Sequence, residues 1–492
     1  MIALLFMVLP VLGLPLIDGS AFLPGIDSRL STGFLQEPDA YAADNPLPLP
    51  ADLPLTQGKL KVFRRALATY TYRDSALAFA SEMNVFTGYE QMLAEDDNYG
   101  FQYTGLRFRG RLNRNFSMQC RFWSGEFFGD LDAAAGSELI DSWYKTQESI
   151  LILDNLSADM TWRSRKLGLS LGRGKFQVGN SISGSIILSD QVNDYGYLLA
   201  EGKLGKFSIS LLHGSLVPDS TSVETGFPSF DTHNYPDKYV ALHQLSYSPT
   251  DRLTLFGGET IVYGNRSLDV NYLLPVAFWR ITEHNLRDRD DVLIYVGSTF
   301  ETTRNTTLYF QIALDEMSPE RFFSNWWGNK YALQGGLSKG FRLLDPSLAE
   351  PARLTFEATA VRPWTYTHYM NTSMYSHDGR TLGYTKGSNL LDLSTELNLP
   401  LPLRLSFDAG FSFCRQGSYG SDWRESYLNA YAGQASTDAT ADWFQGDITN
   451  TISVLGAISY QPFDCLRIKG GLKSTKIEDW KHELSLSFQF SY

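Results

Sequence analysis

The last eleven residues of the chain, 482–492, alternate between apolar and polar side chains, and this pattern constrains the fold more than any other feature. The apolar positions are Leu484, Leu486, Phe488, Phe490 and Tyr492, and the positions between them are Ser485, Ser487, Gln489 and Ser491. A side-chain period of two residues predicts a β-strand with one apolar face. The segment is either an ordinary terminal strand or, as its final aromatic residue favours, the closing strand of a membrane-inserted β-barrel.

Alternation of the same kind recurs along the chain, for example over 116–123, 167–172 and 403–414. Aromatic residues make up 14% of the sequence and 41 residues are glycine, yet no apolar run beyond the first residues is long enough for a transmembrane helix. A barrel explains both facts, because only alternate residues of its strands face lipid. We therefore predict an all-β fold, a transmembrane antiparallel barrel of about 18 strands of about ten residues each. Its first strand is expected near 79–88 and its last at 481–492.

The predicted connections between these strands alternate in length. Tight turns are expected near 112–114, 164–165, 204–205, 248–251, 302–304, 400–402 and 461–463. Long loops are expected near 125–154, 175–194, 215–237, 264–290, 315–329, 362–389 and 416–447. Short periplasmic turns, long extracellular loops and an even strand number are typical of outer-membrane barrels in Gram-negative bacteria. A soluble sandwich has no reason to separate its loop lengths in this way.

The residues before the barrel divide into two segments. Residues 1–21 begin with an almost wholly apolar run and end on small residues suited to signal-peptidase cleavage, so we predict a signal peptide. The alternative, a membrane anchor helix, is disfavoured because the run is short and is interrupted by two prolines and a glycine. Residues 22–78 are rich in proline and are predicted to form a periplasmic lead-in with one short helix over 59–68. Residues 79–492 form the predicted barrel.

Charge and cysteine content narrow the function further. The formal net charge is -12, which argues against nucleic acid as a partner, because such binding needs a basic face. Alternation places Cys120 on the lipid face and Cys414 on the lumen face, and Cys465 follows a turn at the opposite end of the barrel. No pair should reach the Cα separation of roughly 7 Å or less that a disulfide requires, so we expect three free thiols.

Several blocks in the predicted loops are distinctive in their order and spacing. The most specific are Leu314-Asp315-Glu316 with Phe323-Ser324-Asn325-Trp326-Trp327-Gly328-Asn329-Lys330, and Val361-Arg362-Pro363-Trp364-Thr365-Tyr366-Thr367-His368. Over about residues 100–400 these blocks resemble the Wzi-type capsule-assembly family of outer-membrane proteins. The resemblance implies an eighteen-stranded barrel whose lumen is plugged by its own long extracellular loops, and a surface lectin that holds capsular polysaccharide. The chain departs from that family in residues 22–78, which are too short and proline-rich for the family's periplasmic helical bundle.

A non-covalent polysaccharide site needs flat aromatic faces for the sugar rings and polar side chains for the hydroxyl groups. Three predicted loops supply such residues. The candidate ligand-binding residues are Arg280, Glu283, His284, Trp326, Trp327, Asn329, Lys330, Arg362, Trp364, Tyr366, His368 and Tyr369. Each has a structural alternative. The tryptophans suit the aromatic girdle at the membrane interface, and the charged residues suit ion pairs that hold loops in the lumen.

The residues thus predict a non-enzymatic outer-membrane protein that binds capsular or exopolysaccharide and helps to attach or assemble it at the cell surface. Its expected partners are that polysaccharide, outer-membrane lipid and the barrel-insertion machinery, with no cofactor and no metal. The alternative is an outer-membrane porin or glycan-export channel, which needs an open lumen. A third hypothesis, an enzyme acting on lipid or glycan, finds neither a Gly-x-Ser-x-Gly nor a His-Glu-x-x-His motif in the sequence.

Overall fold

The computed structural model describes residues 26–28, 56–62 and 68–492, apart from gaps at 76, 95–96, 114, 136, 138–143, 148, 219–220, 224–231, 235, 304, 322–323, 342–350 and 426–438. Within these residues, eighteen long antiparallel strands close a barrel. Their bounds are β1 Ala78–Ala94, β2 Asn98–Leu112, β3 Phe116–Gly129, β4 Ile150–Arg163, β5 Leu167–Gly174, β6 Tyr195–Leu204, β7 Phe207–Leu216, β8 Lys238–Thr250, β9 Leu253–Gly264, β10 Asp291–Thr303, β11 Thr306–Glu316, β12 Lys330–Phe341, β13 Ala352–Val361, β14 Leu390–Leu401, β15 Leu405–Gly417, β16 Ile448–Phe463, β17 Leu466–Lys476 and β18 Trp480–Ser491.

Each strand pairs with the next along the chain, and β18 closes the barrel against β1. The C-terminal segment is therefore the closing strand, as its alternation predicted. Tight turns join β6 to β7 after Leu204 and β16 to β17 after Phe463, as expected. The long loops lie together at the opposite edge, where the short β1–β2 and β17–β18 connections also lie. The sequence predictions of fold class and strand number are confirmed.

The remaining elements are short. The strands are Ile26–Ser28, Thr56–Val62, Ala68–Arg73, Lys145–Gln147, Phe176–Val178, Thr221–Val223, Thr232–Asn234, Ser376–His377 and Arg380–Thr381. The helices are α1 Leu131–Ala135 and α2 Trp279–Asn285, with 3-10 turns at Val270–Leu273, Pro319–Arg321, Asn371–Ser373 and Pro402–Arg404.

The helix predicted over 59–68 is wrong where the chain is described. Residues 59–62 belong to the strand Thr56–Val62, which pairs with Ala68–Arg73 beside the start of β1. The physical reason is visible in the segment itself, because polar and apolar residues alternate from Lys59 to Val62 with the period of a strand. The predicted signal peptide and most of the predicted lead-in lie outside the described residues.

The outer wall of the barrel exposes large apolar side chains at every second position. On β18, Leu484, Leu486, Phe488 and Phe490 are exposed, whereas Gln489 is buried. A wall of this kind is stable only when lipid acyl chains cover it. The protein is therefore a barrel of the Gram-negative outer membrane. Among the described helices, none combines the length and the apolar character needed to cross a bilayer.

Two extracellular loops fold into the lumen and plug it. Loop 175–194 buries Ile186 and Ile187 completely. The hydroxyl of Tyr366 donates to the backbone oxygen of Ile186 at 2.8 Å, and the hydroxyl of Tyr375 donates to that of Ile187 at 2.6 Å. Both tyrosines belong to loop 362–389, so the two loops are hydrogen-bonded to each other inside the barrel.

Loop 175–194 of the plug is fastened to the wall by the buried carboxylate of Glu357 on β13. It accepts hydrogen bonds from the backbone nitrogens of Ile182 and Ser183 at 3.1 Å each. The hydroxyl of Tyr309, on β11, donates to the same carboxylate at 2.6 Å. Because a buried carboxylate needs several donors to offset its loss of hydration, Glu357 specifies where the plug loop sits.

The three cysteines are free thiols, as predicted. Cys120 lies on the outward-facing side of β3, since its neighbour in alternation, Phe122, is exposed. Cys414 is buried and belongs to the inward-facing set of β15. The two thiols therefore lie on opposite sides of the barrel wall, which prevents them from pairing.

Candidate functional site

A ridge of aromatic and cationic side chains runs along the extracellular edge of the barrel over β10 to β13. We call it the rim ridge and define it as Arg321, Trp326, Trp327, Lys330, His368 and Tyr369. The chain reaches it from the 3-10 turn Pro319–Arg321, which precedes the two tryptophans, and from the first part of loop 362–389. A short turn and the start of a long loop thus bring together residues that are distant in sequence.

One half of the rim ridge is built by the tryptophan pair. The rings of Trp326 and Trp327 lie 5.7 Å apart, and the guanidinium of Arg321 lies 5.4 Å from the ring centre of Trp326. Trp326 pairs with Thr440 in an isolated β-bridge, and the backbone nitrogen of Trp327 donates to the backbone oxygen of Ala439. Both tryptophans are half-buried, so part of each ring faces the extracellular side.

Lys330 joins this half to the other. Its ammonium nitrogen lies 5.7 Å from the ring centre of Trp327 and 3.0 Å from a carboxylate oxygen of Glu316. It also donates to the backbone oxygen of Thr367 at 3.2 Å, directly before His368. These contacts bury Lys330, so its positive charge lies beneath the surface of the ridge.

His368 and Tyr369 form the second half of the rim ridge, with ring centres 4.4 Å apart. Burial, with a smaller effect of Lys330, lowers the pKa of His368 to about 4, so the imidazole is neutral at neutral pH. Its Nδ1 accepts a hydrogen bond from the backbone nitrogen of Met370. Tyr369 is 45% exposed and donates through its hydroxyl to the backbone oxygen of Asp288 at 2.8 Å. The ridge therefore offers aromatic faces with polar groups beside them.

Four other predicted ligand-binding residues are buried and hold the loops in place, namely Asn329, Arg362, Trp364 and Tyr366. The guanidinium of Arg362 packs over the ring of Trp443 and donates to the backbone oxygens of Asn329 and Trp326. The side-chain amide of Asn329 donates to the backbone oxygens of Arg321 and Ser324. None of these side chains presents surface to a polymer in this structure.

Trp364 and Tyr366 share an unusual backbone conformation. Their φ angles are 68° and 72°, in the left-handed region that residues other than glycine rarely adopt. The backbone nitrogen of Trp364 donates to the oxygen of Gly420, and that of Tyr366 donates to Asp315 at 2.6 Å. These two hydrogen bonds hold the unfavourable backbone conformation of the turn at which loop 362–389 enters the lumen. Both side chains are buried, so their role is to shape this turn.

The remaining predicted residues, Arg280, Glu283 and His284, lie on α2, beside Asp288, whose backbone oxygen accepts the hydrogen bond from Tyr369 of the ridge. Arg280 donates to Glu283 at 2.6 Å and lies 3.8 Å from Asp288. Glu283, His284 and Asp288 offer one ligand atom each within 4.8 Å of one another. A group of this kind could hold a metal ion. Here the guanidinium of Arg280 lies against the carboxylates of Glu283 and Asp288 and supplies the positive charge that they need. Sequence reasoning missed Arg321 and Asp288, although both are charged residues in predicted long loops.

The comparisons with solved structures support the fold. The chain is similar to Wzi, an outer-membrane protein involved in group 1 capsule assembly in Escherichia coli and described as a carbohydrate-binding β-barrel, with a TM-score of 0.53 and 12% identity over 83% of this chain and 84% of that one. It also aligns with Pseudomonas aeruginosa OccK5 (TM-score 0.46, 10% identity, 84% and 97% covered) and OpdK (0.47, 8%, 84% and 98%). Neither a protein-family model nor a curated protein matches the sequence significantly. These likenesses concern the barrel fold alone.

Proposed function

We propose that the protein binds a capsular or exopolysaccharide non-covalently at the rim ridge and helps to attach or assemble it at the cell surface. The observation that carries the proposal is the combination of a lumen filled by loops 175–194 and 362–389 with a partly exposed aromatic ridge above it. A filled lumen disfavours transport, because conduction requires a continuous aqueous path.

The chemistry of the ridge suits a sugar polymer. Aromatic rings carry a negative face that attracts the C–H groups of a pyranose ring, and Trp326, Trp327 and Tyr369 supply such faces. Arg321 lies beside Trp326 and suits carboxylates of an acidic glycan, because its planar fork engages two oxygens at once. The ridge is extended and lies at the surface, which matches a long polymer better than a small molecule enclosed in a pocket.

Two further observations support the same proposal. The barrel is similar in fold to Wzi, a carbohydrate-binding β-barrel involved in capsule assembly. The sequence blocks that resemble the Wzi-type family contain Trp326, Trp327, Lys330 and His368 of the rim ridge. Membership of that family is therefore part of the proposal.

The proposal is tested by measuring how surface polysaccharide partitions between cells and medium in a deletion strain that carries variants of the gene. We expect polymer to be made but to shift to the medium in the deletion strain and in Trp326→Ala with Tyr369→Ala. The matched control is Trp480→Ala, because Trp480 is 44% exposed, close to the exposure of Tyr369, but lies at the extracellular end of β18. Cell-bound polymer in normal amount in the deletion strain contradicts the proposal.

The alternative is a porin or glycan-export channel. Single-channel conductance of the purified protein in planar bilayers distinguishes it from a plugged, polysaccharide-binding barrel. We expect no stable conductance from the wild-type protein, because the plug fills the lumen. A steady open state, blocked by added polysaccharide, would instead support the channel.

A further inference from the structure

Loop 265–290, which we call the flap, lies against the outside of the barrel and not in the lumen. Leu245 of β8 and Leu255 of β9 are exposed and define the outward-facing positions of these two strands. By alternation, His243 and Glu259 share those outward faces and lie opposite each other in the sheet. Both are covered by the flap, so the flap descends along the outer wall.

The contacts between flap and wall are specific. Trp279 stacks on His243 with ring centres 4.2 Å apart. The backbone nitrogens of Trp279 and Arg280 donate to the carboxylate of Glu259 at 2.7 and 3.1 Å. Ile261, on the same outward face, packs with Trp279 in one buried apolar cluster. The flap therefore seals polar groups of the wall that would otherwise face lipid.

The depth of this contact places it within the membrane. Glu259 is the seventh residue of β9 (Leu253–Gly264). Six steps of about 3.3 Å along a strand tilted by about 40° put it roughly 15 Å above the periplasmic edge of the wall. The apolar band of such barrels is about 25 Å tall, so the flap reaches into the outer leaflet.

The side of the flap that faces away from the wall is apolar. Its exposed residues include Val270, Leu274, Val276, Phe278 and Ile281. Val276 and Phe278 are 85% and 74% exposed, although both are large apolar residues in a loop. Because these residues continue the exposed apolar surface of β8, β9 and β10, the same acyl chains that cover the wall also cover the flap.

The upper end of the flap carries two exposed arginines, and the carboxylate of Asp288, which lies between them in the chain, is 3.8 Å from Arg280 and 3.7 Å from His284. Arg287 and Arg289 are exposed and close to the extracellular end of β10, and neither forms an ion pair among the described residues. The flap is held at this level to loop 362–389, because Ser373 donates through its hydroxyl to the backbone oxygen of Arg289 at 2.9 Å. Two arginines directly above an apolar surface match a lipid with acyl chains below and anionic groups above.

We propose that the flap is a docking site for a phosphorylated glycolipid of the outer leaflet. Its acyl chains lie against Val276, Phe278 and Ile281, and its phosphate groups lie at Arg287 and Arg289. Continuity with the lipid-facing wall selects a lipid over a protein or a soluble polymer, and the arginines select an anionic headgroup over a zwitterionic one.

The first experiment measures depth with spin labels on the full-length protein in liposomes. Cys120, Cys414 and Cys465 are replaced by serine, and single cysteines are placed at Val276 and Phe278. A label at Leu245 is the reference for lipid, and a label at Tyr419, exposed on an extracellular loop, is the reference for water. We expect the flap labels to collide more with oxygen than with a water-soluble nickel chelate, as at Leu245. Accessibility to the chelate as high as at Tyr419 overturns the proposal.

The second experiment measures lipid retention by native mass spectrometry of detergent-solubilised protein supplied with bisphosphorylated lipid A. We expect the variant Arg287→Ala with Arg289→Ala to retain this lipid about tenfold less, because charge-assisted contacts to phosphate are lost. The matched control is Arg165→Ala with Arg252→Ala, two exposed arginines in periplasmic turns. Equal loss in both pairs, or equal retention of the dephosphorylated lipid by the wild-type protein, overturns the proposal.

Discussion

Nε2 of His243 lies 3.1 Å from a carboxylate oxygen of Glu259 on the outer wall of the barrel, and the indole ring of Trp279 covers the imidazole. At the level of the apolar band, a carboxylate and an imidazole facing outward would be costly in contact with acyl chains. The flap removes this cost, because it supplies two backbone donors to Glu259 and an aromatic cover to His243. The pair is therefore an anchor for the flap.

We expect Glu259→Ala to release the lower part of the flap. The backbone nitrogens of Trp279 and Arg280 would lose their acceptor, at about 1–3 kcal/mol for each buried group left unpaired. Hydrogen exchange of the amides of 279–281 in detergent micelles measures the effect, and faster exchange is expected there than in the wild-type protein. Glu301→Ala, an exposed carboxylate near the periplasmic end of β10, is the control and should leave these amides protected.

The two ends of the flap are clamped by Arg266 and Asp290. Both terminal nitrogens of Arg266 donate to the carboxylate of Asp290, at 2.8 and 2.6 Å, and the hydroxyl of Tyr272 donates to it at 2.6 Å. We expect Asp290→Ala to destabilise the closed flap by about 3 kcal/mol, because a largely buried guanidinium loses its bidentate partner and keeps only Asp269, at 3.3 Å. Limited proteolysis within 265–290 should accelerate, while the heat-modifiable mobility of the barrel on gels stays unchanged. Unaltered proteolysis contradicts the clamp.

Glu357 is expected to keep the lumen closed. In Glu357→Ala, the backbone nitrogens of Ile182 and Ser183 lose their acceptor, so loop 175–194 is released from the wall. Planar-bilayer recordings should show openings that the wild-type protein lacks. Glu396→Ala is the control, because Glu396 is a half-buried carboxylate on neighbouring β14 whose side chain accepts from Asn398. If both variants stay closed, other contacts hold the plug.

Acid is expected to loosen the plug through His377. Burial lowers the pKa of His377 to about 4, with Lys238 and Arg173 acting in the same direction and Asp378 and Asp194 opposing it. Its Nδ1 accepts from the backbone nitrogen of Val217 at 3.0 Å, a contact that a protonated ring cannot make.

The sign of this pH effect follows from the lowered pKa. The folded plug favours the neutral ring, so the stabilisation is complete above the unfolded pKa of about 6.5 and is lost as pH falls toward 4. Hydrogen exchange over 376–382 between pH 7.5 and 4.5, corrected for intrinsic rates, should show this loss. His377→Asn keeps an acceptor but does not titrate, so it should flatten the dependence, whereas His368→Asn, which removes another histidine of lowered pKa, should not. An unchanged dependence in His377→Asn assigns the effect to another group.

Much of the barrel was predictable because side-chain alternation is a local property. A period of two residues is enough to predict that Leu484, Leu486, Phe488 and Phe490 of β18 face outward. The same period predicts that Cys120 and Cys414 face opposite sides of the wall, and neither prediction requires knowledge of the partner strands. The short helix expected over 59–68 is wrong over its described residues 59–62, because the alternation of Lys59 to Val62 has the period of a strand.

The candidate site was predictable only in part. His368, Tyr369, Trp326 and Trp327 do reach the extracellular edge, but Arg362, Trp364, Tyr366 and Asn329 are buried. Residue type alone does not separate these groups, because an aromatic or cationic side chain suits a ligand and a loop core equally well. Burial depends on which other loop packs on it, as when Trp443 covers Arg362.

The sequence by itself determined the barrel, its strand number and the face of each wall residue, since each depends on local period and on the spacing of turns. Only the tertiary structure decided where the long loops go. Loop 175–194 turns into the lumen toward Glu357, with loop 362–389 packed on it, whereas the flap turns outward toward Glu259. In both cases a buried carboxylate must find donors, and the donors come from backbone that is remote in sequence. A path chosen by such long-range hydrogen bonds leaves no periodic signal in the chain.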